Sequence, residues 1–185
     1  MGPTSKTENT VGEILKAAIG VVTSGVGAYI ALVLKDRFDL RGKARAADAE
    51  EFKKASAWLN DQTVAVLRST EFYSGLDRRR LEPIDQLTHA YEGNRSVLFH
   101  DSELNALFLE LLADVTTFRQ EVAKLTVPEG DPVLLTTTSR ANRLYGGADA
   151  KRQSIEEANA LDAGARRLAD KGAAFIDRAK RQLKA

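Results

Sequence analysis

Cysteine is absent from the 185 residues of this chain. That removes disulfides, thiolate zinc sites, iron–sulfur clusters and cysteine nucleophiles from consideration. Aromatic residues make up only 6% and there are four prolines, against 43% hydrophobic and 29% charged residues. Such a mixture suits a globular chain, and few rings with much alanine favour closely packed helices over a sheet. The net charge is +1, so no global basic field draws in nucleic acid and no acidic tail is present.

The usual signatures of catalysis are missing as well. His89 and His100 are the only histidines, and neither belongs to an HExxH motif or to the Glu-x-x-His pairs of carboxylate-bridged di-iron bundles. Each reads as a surface or capping residue. Tyr145-Gly146-Gly147 lacks the remainder of a phosphate-binding loop, and no Gly-x-Ser-x-Gly nucleophile elbow occurs. The carboxylates lie mostly beside Lys or Arg on charged helix faces. The expectation is a protein that is not an enzyme, with no catalytic residues, no metal and no cofactor.

What is present begins near the N-terminus. Residues 17–34 read AAIGVVTSGVGAYIALVL, without a charge. Extended to residues 14–34, the segment would measure roughly 31 Å as a helix, close to the ~30 Å of a hydrocarbon core. The expectation is one transmembrane helix at 14–34, touching membrane lipid, behind a short tail at 1–13. Only Lys6 is basic in that tail, whereas Lys35, Arg37, Arg41, Lys43 and Arg45 follow the span. The positive-inside bias then puts a basic juxtamembrane segment, 35–42, and everything after it in the cytoplasm, with the span in the inner membrane. A soluble helix buried in a bundle is the competing reading of 14–34. Ala17, Gly20, Ser24, Gly27, Ala28 and Ala31 recur at three- and four-residue steps, which makes a small-residue face suited to helix association.

Residues 43–185 read as an all-α unit, an antiparallel bundle of about four helices. The first covers 43–73, with Ala49, Phe52, Ala55, Leu59 and Val66 on one stripe and Asp48 as a misfit on its apolar side. The second starts near Pro83 and ends at Gly93-Asn94. Asp101 or Ser102 caps the third, whose stripe runs Leu104, Leu107, Leu111, Val115, Phe118, Val122 and Leu125. Residues 126–147, with Pro128, Gly130, Pro132 and Gly146-Gly147, read as a long loop in which Val133-Leu134-Leu135 forms an extended strap. A last helix covers 148–183. Arg78-Arg79-Arg80 is the densest basic run, and reads as a turn before a helix or as an anion site. Asn94-Arg95-Ser96 is a formal glycosylation sequon, which the cytoplasmic topology leaves unused.

The functional expectation is a membrane-anchored helical scaffold or adaptor. It would bind a protein partner or self-associate at the cytoplasmic membrane face, without nucleic acid and without a small-molecule substrate. Two alternatives stand beside it. One is an oligomerising membrane effector of the bacterial self-killing or phage-defence type. The other is a soluble helical subunit of a larger complex that buries residues 14–34.

Overall fold

A computed structural model describes the backbone of residues 7–93 and 97–183, and side chains from Tyr29 onward except at positions 31 and 38. The chain divides into two compact units, residues 1–44 and 45–185. It is 78% helical, with six helices among the described residues. They are α1 (Thr7–Ser56), α2 (Asp61–Arg68), α3 (Glu82–Tyr91), α4 (Ser102–Leu125), α5 (Thr137–Leu144) and α6 (Gly147–Leu183). Three short strands, β1 (Leu76–Asp77), β2 (Val127–Glu129) and β3 (Leu134–Thr136), form an antiparallel sheet in the order β1-β3-β2. A 3-10 turn, Arg78–Leu81, joins β1 to α3.

The membrane reading needs correction. Among the described residues no helix is long and apolar enough to cross a membrane. Residues 14–34 belong to the 50-residue helix α1, which continues past Gly42 without the expected break. The described side chains 29–34 are followed at once by Lys35, Asp36 and Arg37. The expected transmembrane helix, the single-pass inner-membrane location and the cytoplasmic placement of the remainder are therefore not supported. The membrane-anchored adaptor and the membrane effector lose their premise with them.

The second unit also differs from a plain four-helix bundle. The helix expected over 43–73 stops at Ser56 and restarts at Asp61. Asn60 causes the restart: its side chain accepts the Thr63 N–H at 3.0 Å, capping α2. Thr63 in turn donates its hydroxyl to the Trp58 carbonyl at 2.7 Å. The kink keeps Leu59 fully buried while swinging Val64 and Leu67 onto the core. Residues 126–147, expected as a loop, contain β2, β3 and α5. Leu134 and Leu135 pair with Asp77 and Leu76 on one side and with Glu129 and Pro128 on the other. The Thr136 hydroxyl then caps α5 by accepting the Ser139 N–H at 3.1 Å.

Helix α6 is the element against which α2, α4 and α5 all pack. Two glycines make the approach close. A Cβ on Gly164 would lie 3.1 Å from the Phe118 ring on α4, and one on Gly172 would lie 3.2 Å from Leu59. Around them sits an aromatic cluster. Phe108 meets Tyr91 edge-on at 5.0 Å and Phe99 at 5.4 Å, and it lies 4.9 Å from Phe175. Phe175 also contacts Phe52, at 5.9 Å. Edge-to-face geometry sets the positive ring edge of one residue against the negative face of the next.

Candidate interaction surface

The α1 residues of the first unit carry a set of large apolar side chains that the unit itself leaves uncovered. Tyr29 is 69% exposed, Ile30 52%, Leu32 59%, Leu34 49% and Leu40 65%. Tyr29, Val33, Leu40 and Ala44 step by four and seven residues, which sets them on one helical stripe. The expected basic residues Lys35, Arg37, Arg41, Lys43 and Arg45 are all exposed, and Asp36 and Asp39 alternate with them. The result is a helix with apolar side chains and charge of both signs, not a basic collar. The side chains of the expected small-residue face, Ala17, Gly20, Ser24, Gly27, Ala28 and Ala31, lie outside the described residues. Sequence reading assigned Ile30, Leu32 and Leu34 to a span and gave Leu40 no role. Its signal was available as an apolar residue amid charges, seven positions beyond Val33.

The second unit, by contrast, satisfies most of its polar groups internally. Asp48, the misfit of the sequence pattern, is only 3% exposed. Its carboxylate accepts the N–H groups of His100 at 2.6 Å and Asp101 at 3.0 Å, pinning the approach to α4. Asp101 then caps α4 by accepting the N–H groups of Glu103 and Leu104. Helix α5 is fastened to α6 by an Arg140–Glu157 ion pair and by hydroxyl contacts joining Thr137 and Thr138 to Ser154, while Gln153, on α6 itself, donates to the same Glu157 oxygen. The Tyr91 phenol donates to Glu51 at 2.8 Å. Burial first, and then that hydrogen bond, raises its pKa well above the ordinary tyrosine value.

Arg78-Arg79-Arg80 does not converge on one point. Arg79 grips Asp77 in a fork, Nε to Oδ1 at 3.2 Å and an NH2 nitrogen to Oδ2 at 2.9 Å. The hydrogen bonds from Arg79 hold the Asp77 carboxyl below its ordinary range, and the same contact raises Arg79. Arg80 donates to the Ser69 hydroxyl at 3.3 Å. Arg78 has no acidic partner within ion-pair distance among the described residues. His89 is exposed beside Glu92, and the exposed His100 contributes its backbone N–H to Asp48. Among the described residues no three His, Asp or Glu side chains gather as a metal site would require.

Two features thus separate: a second unit closed around its own core, and a first unit whose described residues from Tyr29 onward carry exposed apolar side chains. No protein family, characterised protein or solved structure matches the chain, so its role rests on its own residues.

Proposed function

We propose that the chain is a helical subunit of a larger protein complex, and that α1 residues 29–44 are the surface through which it assembles. The supporting observation is the exposure of Tyr29, Ile30, Leu32, Leu34 and Leu40 on one helical segment. Large apolar side chains scattered singly on a surface need no explanation, but five exposed within twelve residues of one helix are a concentration that water disfavours, and Tyr29 and Leu40 share the stripe of Val33 and Ala44. Covering each half-exposed side chain would contribute on the order of 1 kcal/mol at ~25 cal/mol per Å². Another helix is the natural cover, since ridges of three- and four-residue spacing interlock with their like.

A second copy of this chain is the partner that the charges favour. Lys35, Asp36, Arg37, Asp39 and Arg41 alternate in sign. A surface carrying both signs is compatible with itself, where a run of one sign would demand an oppositely charged partner. The role is one of binding, not catalysis.

The absence of cysteine makes a direct test available. A single Leu40→Cys substitution creates a unique thiol, and Glu156→Cys on the exposed side of α6 serves as a control. Mild oxidation at micromolar concentration is expected to yield disulfide dimers of the Leu40→Cys chain well ahead of the control. Equal, slow dimerisation at both positions would contradict the reading.

A further inference from the structure

A cavity of about 360 Å³ opens between α3, α4 and the sheet, and nothing above gives it a use. Its floor is apolar: Leu81, Ile84, Phe118 and Val122 are buried beneath it, with half-buried Leu135 at the side. Its rim carries Arg78, Arg119 and Asp85. An apolar pocket with a few convergent polar groups is the common form of a small-ligand site, and roughly 300 to 1,000 Å³ is the common size. This one lies at the small end of that range.

The rim decides what the ligand carries. Arg119 donates its Nε to Asp85 at 2.6 Å, so those two charges offset one another. Arg79, next in the chain, is taken by Asp77. Arg78 remains, with no acidic partner within ion-pair distance among the described residues. Its backbone N–H is fixed to the Val133 carbonyl at 3.0 Å, which anchors the residue at the mouth. A guanidinium presents paired donors that match a carboxylate in a two-pronged contact. The Thr126 hydroxyl, also in the lining, is already spent on the Val122 carbonyl at 2.8 Å and asks nothing of a ligand.

We infer that this cavity binds a small amphipathic carboxylate, its hydrocarbon chain on the Leu81–Ile84–Phe118–Val122 floor and its carboxylate on Arg78. The volume suits a medium-length chain and excludes a folded peptide or a two-chain lipid. This inference is independent of the α1 surface, since every lining residue belongs to the second unit.

Calorimetric titration of the full chain with decanoate, decanol and acetate tests it, with amide NMR spectra locating the bound probe. Decanoate is expected to bind saturably with one site per chain and to shift amides around Ile84, Val122 and Leu135. Decanol, lacking the charge, and acetate, lacking the chain, are each expected to bind at least tenfold more weakly. Arg78→Gln should weaken decanoate about tenfold, in line with loss of a charged hydrogen bond, while Arg79→Gln should leave it unchanged. Ala123→Trp places bulk at the exposed rim and should abolish binding, circular dichroism confirming that the helices persist. Three results would each overturn the inference. They are no saturable decanoate binding, decanol binding as tightly as decanoate with Arg78→Gln silent, or shifts confined to residues 29–44. Binding of a peptide with an apolar C-terminus but not of decanoate would overturn it too, and would assign the cavity to a protein partner.

Discussion

Asp48 accepts two backbone N–H groups where little water reaches, and its removal would orphan both. Loss of a buried acceptor costs about 1 to 3 kcal/mol. Asp48→Ala is therefore expected to lower the urea midpoint by an amount in that range, and Asp48→Asn, which keeps one oxygen, by less. Asp162 shows the opposite balance. It accepts the Phe72 N–H at 2.9 Å, yet burial outweighs that bond and raises its pKa above the ordinary 3.8, with Arg166 lowering it and Glu71 adding to the rise. A carboxyl whose folded pKa lies above its unfolded one binds more protons when native, so stability falls as pH rises from just below 4 through the raised value. Asp162→Asn keeps an acceptor for Phe72 and removes the titration. Unfolding measured at a series of pH values should show the stability of the parent, relative to Asp162→Asn, falling as pH rises from about 4, so that the variant has the steeper acid limb, with no loss of stability at pH 7. A flatter limb for the variant would contradict the assigned cause. Asp48 looks like an error in an apolar stripe because its partners lie some fifty residues away, which periodicity cannot register.

Helix α4 and the stretch 148–183 show how far periodicity does reach. Leu104, Leu111, Val115, Phe118 and Val122 are buried as their spacing requires, and Asp101 caps the helix they define. The stripe of Ala158, Leu161, Ala165, Leu168, Gly172 and Phe175 is buried along α6. The pattern misled where a break preserves it. Ala55, Leu59 and Leu67 keep helical spacing across residues 57–60, although the chain turns there and starts α2 afresh. The deciding contact is local, Asn60 to the Thr63 N–H, and Asn-x-x-Thr is too common a string to signal a cap unaided. Asn60→Ala is expected to cost about 1 kcal/mol, read as a lowered thermal midpoint. No change would mean that tertiary packing of Val64 and Leu67 alone holds α2. The strands were hidden for another reason. Each has two or three residues, and β1 finds its partner β3 only through contacts nearly sixty positions apart. Strand signals in sequence rest on runs of alternating residues longer than these.

At the scale of the whole molecule, one unit closes around its own core and the other leaves apolar side chains open. The sequence displayed that second property plainly, as a long uncharged run, but could not say what removes it from water. A bilayer and a neighbouring helix both accept Leu, Ile and Tyr, and both tolerate glycine and alanine at a helix face. The carboxylate cavity was illegible for a different reason, because its walls come from the 3-10 turn, α3, α4 and two strands that only the fold assembles. If α1 residues 29–44 bring copies of the chain together, light scattering on the purified full chain across a concentration series, beside a Leu32→Glu/Leu40→Glu double variant, shows it. The mass is expected to rise above the 20.2 kDa of one chain for the parent and to stay at that value for the variant, with helicity retained. A parent that remains at the single-chain mass up to high micromolar concentration would contradict it.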